Sequence, residues 1–193
     1  MGNKGDNTRE LIKEASYRLF VEKGFKDVTM KDICEETGLS RGGLYRHFAN
    51  TADIFEEIWS GLIVNLWIDL KESMEEQQDA KEILRKLLEK RKAEIEDKER
   101  TLTLSIYEYS HAVSNHLFIE INRQSKDMWS RFLKYGIDRN EFANVNVEEM
   151  VDLILYTYQG ARMWSTILPM ENGVSKHLTD FIWNTLVPSE RRN

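Results

Sequence analysis

The sequence predicts an all-α fold of about nine helices. Apolar residues recur with helical spacing along nearly the whole chain of 193 residues, and no segment alternates between apolar and polar residues as a half-buried strand would. Only two prolines occur, which favours long helices over a fold with many turns. We expect a compact three-helix unit in residues 1–50 and a larger helical body in residues 51–193.

The first helix is predicted from about Thr8 to Lys23. Its apolar residues fall on one face, and Gly24 follows as a C-terminal stop signal. Asn7 and Glu10 stand three residues apart at its start, which is the spacing of a capping box. Asn7 is therefore the expected N-cap.

A second and a third helix are predicted close together in the chain. Thr29 and Asp32 have the spacing that starts a short helix, and Ser40 is the expected cap of the next one. Gly38 lies in the short turn between them. The pair therefore fits a helix-turn-helix.

The third predicted helix contains two adjacent glycines, in the stretch SRGGLYRHF of residues 40–48. Glycine in a helix interior costs about 1 kcal/mol relative to alanine, so the pair requires a reason. With Leu44 directed at the core and about 100° of rotation per residue, Gly42 and Arg46 face outward, flanked by Gly43 and Tyr45. A helix with so bare a surface can enter a major groove deeply, where Arg46 reaches a guanine edge and Tyr45 meets a phosphate.

The body is predicted to be helical throughout. Its helices are expected at about Asn50–Met74, after Asp79, near 101–114 and 115–135, at Val147–Leu168 and over Val174–Leu186. Asp79 and Asn146 are the expected N-caps of two of them.

Composition restricts the classes of function. A single cysteine, Cys34, excludes an intrachain disulfide framework and a cysteine-based zinc site, and it suits a reducing cytoplasm. The net charge of −6 disfavours indiscriminate binding to nucleic acid, yet residues 37–50 hold two arginines and no acid. No secretory signal and no apolar run of membrane-spanning length occurs. We expect a cytoplasmic protein with no membrane segment and no cofactor.

Several motifs stand together in residues 8–55, namely Leu19-Phe20, Gly24-Phe25, Gly38-Leu39-Ser40 and Leu44-Tyr45-x-x-Phe48. Through them the segment resembles the DNA-binding domain of the tetracycline-repressor (TetR) family of transcriptional regulators. The rest of the chain matches that family in architecture, a helical effector-binding and dimerisation domain whose last two helices form a dimer bundle. The resemblance implies a homodimeric regulator, most often a repressor, that binds a palindromic operator on double-stranded DNA and responds to a small-molecule effector.

The resemblance implies phosphate contacts for Thr29 and Tyr45 and major-groove positions for Arg41, Gly42 and Arg46. The residues expected at the DNA are Thr29, Ser40, Arg41, Gly42, Gly43, Tyr45, Arg46 and His47. For Arg41, an ion pair with an acid such as Glu36 is the alternative.

Two positions depart from the family pattern. Gly43 stands where the family usually has threonine, serine or alanine, so one side-chain contact is missing here. Asn50 and Thr51 stand where the family often has a lysine. Losing that phosphate contact is expected to weaken DNA binding and to flatten its salt dependence by about one unit of slope.

The resemblance also implies an effector pocket in the helical body. The residues expected to line it are Trp67, Tyr107, His111, Trp129, Tyr156, Gln159 and Met163. Few charges lie in these apolar stripes, which favours an apolar or aromatic effector, including an aromatic or apolar cation, over a polyanion. Core packing is the alternative for each of these side chains. Glu108 and His111 have the Glu-x-x-His spacing of di-iron bundles, but no other histidine has a glutamate three residues before it, so no metal site is expected.

The helix at Val147–Leu168 carries more apolar residues than one buried face requires, and Gly160 permits close approach of another helix. A self-complementary contact between two copies would bury the excess. The residues expected in this dimer interface are Val151, Ile154, Leu155, Tyr158, Leu178, Phe181 and Ile182. Burial inside the single chain is the alternative.

Two other classes of function remain as alternatives to a regulator. One is an enzyme that uses the helical cavity, although no Ser-His-Asp pattern, carboxylate pair, phosphate loop or metal cluster can be assembled from these residues. The other is an interaction module whose three-helix unit binds a protein. Steep salt dependence of binding would distinguish DNA from a protein partner.

Overall fold

The computed structural model describes residues 4–96, 102–168, 171 and 173–188, without the side chains of residues 4 and 63–66. The described residues form nine α-helices and no strand, which confirms the all-α prediction. The helices are α1 (Lys4–Lys23), α2 (Met30–Thr37), α3 (Arg41–Tyr45), α4 (Thr51–Glu75), α5 (Ala80–Glu96), α6 (Thr103–Ala112), α7 (His116–Asp138), α8 (Val147–Ser165) and α9 (Val174–Leu186). Of the helices described, none is both long enough and apolar enough to cross a membrane.

The chain divides into two compact units. The first comprises Met1–Val64 with Glu99–Ile121, and the second comprises Asn65–Lys98 with Asn122–Asn193. These units do not follow the predicted boundary at residue 50, because the first also takes in the start of α4 and the whole of α6.

Aromatic packing explains why the first unit includes α4 and α6. The Phe55 ring of α4 meets the Phe20 ring of α1 edge to face, with centroids 5.1 Å apart, and stacks on the Tyr109 ring of α6 at 5.0 Å. The Ser105 hydroxyl of α6 also donates to the Phe20 carbonyl at 2.7 Å. The three N-terminal helices therefore share their hydrophobic core with α4 and α6.

The core of the second unit is built by α5, α7, α8 and α9 with the end of α4. Phe132 on α7 is fully buried and packs edge to face on Phe142, with centroids 5.5 Å apart. The Phe142 ring lies so close to Gly136 that a Cβ added there would be 2.1 Å from a ring carbon. The Ala143 N–H donates to the Leu186 carbonyl at 2.7 Å, which ties the loop after α7 to the end of α9.

Most helix starts lie where the sequence predicts them. The Asp79 and Asn146 side chains cap their helices by accepting hydrogen bonds from Glu82 N at 2.9 Å and from Glu149 N at 3.4 Å. The predicted cap at Asn7 is wrong, because α1 already begins at Lys4 and Asn7 lies inside it.

Candidate nucleic-acid interface

The turn between α2 and α3 depends on Gly38. Its φ of 70° lies in the left-handed region, and it forms the C-cap of α2. Only glycine adopts this conformation without steric cost, so a sharp turn follows α2 at this point. The two helices pack on one another, as the predicted helix-turn-helix requires.

The N-terminus of α2 is closed by a capping box. The Thr29 backbone N–H donates to Asp32 Oδ2 at 2.9 Å, and the Asp32 N–H donates to Thr29 Oγ1 at 3.2 Å. The Thr29 hydroxyl donates to the same carboxylate, and Lys23 Nζ lies 3.2 Å from Asp32 Oδ1. The hydrogen bond from the Thr29 hydroxyl, assisted by its backbone N–H and by Lys23, lowers the pKa of Asp32 to about 2.

This box changes the interpretation of Thr29. A phosphate oxygen accepts hydrogen bonds, so Thr29 would have to donate one to contact it. Both its hydroxyl hydrogen and its backbone N–H are already engaged by Asp32. In this structure Thr29 is the cap of α2 and is not a free phosphate ligand.

Helix α3 is only five residues long, RGGLY. Ser40 Oγ accepts a hydrogen bond from Gly43 N at 3.1 Å, which confirms its predicted role as N-cap. The Ser40 hydroxyl is used there as an acceptor and keeps its hydrogen as a donor. Leu44 is fully buried in the core of the first unit, as expected.

The opposite side of α3 is open to solvent. Tyr45 is 53% exposed, and Arg41, Gly42 and Arg46 are exposed as well. A Cβ added at Gly42 would meet nothing within 4 Å, so the backbone there is bare. The surface predicted from helical geometry is therefore present, with two guanidinium groups and one phenol beside bare backbone.

The other predicted contacts at this end are less accessible. Gly43 and His47 are half-buried, so they flank the exposed surface. Glu36, the suggested partner of Arg41, instead lies 3.1 Å from the Arg18 guanidinium. That ion pair removes the main reason to assign Arg41 a purely structural role.

Two residues that no sequence pattern indicated lie at the far end of α3. Arg9 on α1 donates to the His47 carbonyl and to the Glu57 carboxylate of α4. Arg9 and Glu57 are 48 residues apart in the chain, so no local spacing could have revealed the pair.

The seven residues predicted to line an effector pocket are divided between the two units. Tyr107 and His111 belong to the first, where their rings meet at 4.5 Å. The other five, all in the second unit, are Trp67, Trp129, Tyr156, Gln159 and Met163. Neither unit by itself assembles the seven into one site.

Burial corrects part of this prediction. Trp129 is 2% exposed and packs against Phe132 in the core of the second unit, which fits the alternative of core packing. Tyr156 and Gln159 lie on the solvent-exposed side of α8 and not in a cavity. The indole Nε1 of Trp67 is buried, and no described group accepts a hydrogen bond from it.

The predicted interface residues also separate by burial. Four of them are already covered by their own chain, which fits the alternative of burial inside the single chain: Val151, Ile154, Leu155 and Ile182. Leu178 is half-buried, and only Phe181, at 60%, is widely exposed. The excess of apolar residues on α8 is therefore partly explained by burial inside the second unit.

Tyr158 belongs to a half-buried polar cluster on α5 and α8. Its hydroxyl donates to Glu94, and its ring centroid is 4.8 Å from Arg91 Cζ and 5.5 Å from Arg162 Cζ. Arg91 Nη1 is 2.7 Å from Glu94 Oε2. Burial raises the pKa of Tyr158. Burial also opposes ionisation of Glu94, but Arg91, the Tyr158 hydroxyl and Arg162 together outweigh it and lower the pKa of Glu94.

In the Glu-x-x-His pair, Glu108 has a structural role. Glu108 Oε2 accepts a hydrogen bond from Lys26 N at 3.1 Å, beside the turn at Gly24. Among the residues described, no three His, Cys, Asp or Glu side chains are grouped to hold a metal ion.

Comparison with known proteins assigns the N-terminal segment to a family. Residues 12–58, which contain α2, α3 and the start of α4, match the family model described as bacterial regulatory proteins, tetR family. This segment is therefore a helix-turn-helix of the TetR family. The matched segment contains the whole helix-turn-helix and Leu44, Tyr45 and Phe48 of the signature.

Relatives in the TetR family are regulators of transcription. The chain is 27% identical over 151 residues to the transcriptional repressor KstR2 of Rhodococcus jostii, which spans 76% of this chain and 73% of the repressor. It is 45% identical over 53 residues to the regulator YfiR of Bacillus subtilis, which spans 28% and 26% of the two chains. The chain is accordingly a DNA-binding transcriptional regulator and not an enzyme.

Solved structures share the fold along almost the whole chain. A transcriptional regulator from Saccharomonospora viridis, solved in complex with choline, has a TM-score of 0.77 at 20% identity and covers 95% of this chain and 100% of its own. KstR2 of Mycobacterium tuberculosis, described as a ketosteroid transcriptional regulator, has a TM-score of 0.66 at 20% identity, with 94% and 96% covered.

Proposed function

We propose that this TetR-family regulator is a homodimeric repressor that inserts α3 of each protomer into the major groove of a palindromic operator. A small apolar or aromatic effector, bound in the helical body, releases it. The observation that carries the DNA-binding assignment is the exposed surface of α3, where bare glycine backbone lies beside Arg41, Tyr45 and Arg46.

Each exposed group on this surface suits a different part of DNA. Arg46 donates to the O6 and N7 atoms of a guanine, for which its forked geometry is well matched. Phosphates on either side of the groove are bound by three groups, namely the Tyr45 hydroxyl, the Arg41 guanidinium and the Ser40 hydroxyl, which still has its hydrogen to donate. Gly42 allows the helix axis to approach the bases, and His47 stays at the edge of the contact.

Dimerisation is assigned to α8 and α9, which pack together in the second unit. Exposed residues follow one another along α8 at helical spacing: Leu153, Tyr156, Gly160 and Trp164. Phe181 on α9 is exposed as well, and no atom lies within 4 Å of a Cβ at Gly160. An isologous contact between two copies of these helices buries this surface. In the proposed interface these exposed residues take the place of the four predicted residues that the chain itself buries.

Two α3 helices in one dimer can read two half-sites about one helical turn of DNA apart. An effector that binds better to a different arrangement of the protomers shifts the population away from the DNA-binding form. The buried Nε1 of Trp67 supports an effector site beside the end of α4, because a buried indole N–H ordinarily has an acceptor. The relation to a ketosteroid regulator favours an apolar effector.

Selection of binding sites from a random duplex pool tests the proposal. The wild-type protein is expected to enrich a palindrome, whereas Tyr45→Ala and Arg46→Ala lose enrichment and keep their helical content. Arg131→Ala is the matched control, since Arg131 is exposed on α7 in the second unit. Equal enrichment by Arg46→Ala and wild type contradicts the assignment of α3.

A further inference from the structure

We propose that Arg9 is a positioning residue that fixes the C-terminal end of the recognition helix α3 for DNA binding. The inference rests on the proposed DNA contact of α3 and adds a residue that lies outside the contact surface. All groups involved belong to the first unit.

The recognition helix cannot hold its own orientation. It has five residues, two of them glycine, and isolated helices of this length are not stable in water. Its N-terminal end is fixed by the Ser40 cap, and its middle by the buried side chain of Leu44. Its C-terminal end carries Tyr45 and Arg46, the two side chains proposed to meet DNA, and requires a third attachment.

Arg9 supplies this attachment in three directions. Its Nη1 donates to the His47 carbonyl at 2.7 Å, and its Cζ lies 4.0 Å from the centroid of the Phe48 ring. Its Nε donates to Glu57 Oε1 at 2.9 Å and Oε2 at 3.0 Å, and its Nη2 pairs with the same carboxylate. One planar guanidinium therefore joins the residues that follow α3 to α1 and α4.

The chemistry of this attachment requires arginine. The His47 carbonyl follows the end of α3, where helical carbonyls lack partners and where a cation is favoured. A lysine at position 9 has one point-like ammonium and cannot pair with Glu57, bond to His47 O and stack on Phe48 at once. Lys13 provides the contrast, since its Nζ lies 3.5 Å from Glu57 Oε1 and 2.6 Å from Glu10 Oε1, two residues outside α3.

Arg9→Lys, with Lys13→Met as matched control, tests the inference. We expect Arg9→Lys to lower affinity for the selected operator about tenfold or more, because two charge-assisted bonds are lost. The slope of log K against log salt is expected to stay unchanged, since Arg9 neutralises no phosphate. Lys13→Met is expected to bind within about twofold of wild type, since its two ion pairs involve partly exposed side chains, which contribute little, and both partners lie outside α3.

Amide hydrogen exchange gives a readout that does not depend on DNA. Arg9→Lys, and Glu57→Gln as a second variant, are expected to speed exchange at His47 and Phe48 by about tenfold while the amides of α2 stay protected. Unchanged exchange together with unchanged affinity overturns the inference. A lower salt slope in Arg9→Lys overturns it too, because Arg9 would then contact a phosphate directly. If wild type enriches no duplex, the proposed function fails, while exchange still decides the role of Arg9.

Discussion

Ser40 caps the recognition helix through the backbone of Gly43, whose N–H donates to Ser40 Oγ at 3.1 Å. A Cβ added at Gly43 would lie 3.3 Å from that same oxygen, so a side chain there presses on the cap. A Cβ added at Gly42, the neighbouring position, would meet nothing within 4 Å. The two adjacent glycines therefore have different roles, one in the cap and one on the outer surface.

Alanine at Gly42 is expected to separate folding from DNA binding. The unfolding free energy of the variant should equal that of wild type or exceed it by up to about 1 kcal/mol, because alanine favours the helical conformation and its methyl group meets no neighbour. Its methyl group then stands between α3 and the bases, and operator affinity should fall about tenfold, the value of one good base contact. Chemical denaturation and DNA titration measure the two effects.

Gly43→Ala is the control for this prediction. Contact with Ser40 Oγ should cancel the helix-forming gain, so its unfolding free energy is expected to stay at or below that of wild type. A Gly42→Ala protein that binds the operator as tightly as wild type would show that α3 does not approach the bases closely.

Acid titration should reveal the capping box at the start of α2. The pKa of Asp32 is lowered from 3.8 to about 2, chiefly by the Thr29 hydroxyl, so its contribution to stability is complete above the unfolded value and is lost as the pH falls through the folded value. The difference in unfolding free energy between wild type and Asp32→Asn should therefore shrink as pH falls from about 4 to about 2. Urea denaturation at several pH values measures it.

The exposed Asp27, two residues before the cap, provides the comparison. Asp27→Asn removes an exposed carboxylate outside the capping box and should leave the unfolding free energy at neutral pH unchanged. A constant difference between Asp32→Asn and wild type across the acid range would mean that the carboxylate charge contributes nothing to the cap.

What the sequence predicts well is local. The caps at Asp79 and Asn146 and the turn at Gly38 depend on residues within four positions of each other, and the structure has all three. The outward position of Arg46 follows from the rotation of one short helix. These features need no knowledge of the remaining chain.

What the sequence predicts poorly depends on distant partners. Val151 and Ile154 have the same apolar character whether α5 and α9 or a second protomer covers them, so periodicity cannot assign their burial. The attachment of Arg9 to Glu57 has no local spacing at all. Thr29 has the sequence of a cap, but only the structure shows that its hydroxyl hydrogen is already used by Asp32.

The half-buried cluster on α5 and α8 should make Arg91 important for the stability of the second unit. Arg91→Met removes the cation 2.7 Å from Glu94 and leaves a half-buried carboxylate beside Tyr158, which is expected to cost about 2 kcal/mol. Adding Glu94→Gln should recover part of this loss, because the remaining unpaired charge is then removed. Thermal and chemical denaturation compare the single and double variants.

Operator binding provides the internal control for the Arg91 prediction. Since Arg91 and α3 belong to different units, Arg91→Met protein that is still folded should enrich the same DNA sequence as wild type. If the double variant is as unstable as Arg91→Met, the loss comes from packing and not from the unpaired carboxylate.

Trp164 on α8 and Phe181 on α9 are expected to hold the dimer together. They are 58% and 60% exposed in the single chain, and large aromatic side chains at the centre of an interface are the usual hot spots. In an isologous contact each substitution occurs twice, so a loss of about 2 kcal/mol per copy weakens dimerisation about a thousandfold. Sedimentation velocity over a range of concentrations should therefore show Trp164→Ser and Phe181→Ser as monomers where wild type is a dimer.

Ile119→Ser is the matched control, since Ile119 is also 60% exposed but lies on the part of α7 that belongs to the first unit. It should remain a dimer if the contact is confined to α8 and α9. The monomeric variants should also lose the palindrome and bind a single half-site weakly, because a second α3 is no longer joined to the first. A Trp164→Ser/Phe181→Ser protein that stays dimeric would place the interface elsewhere on the chain.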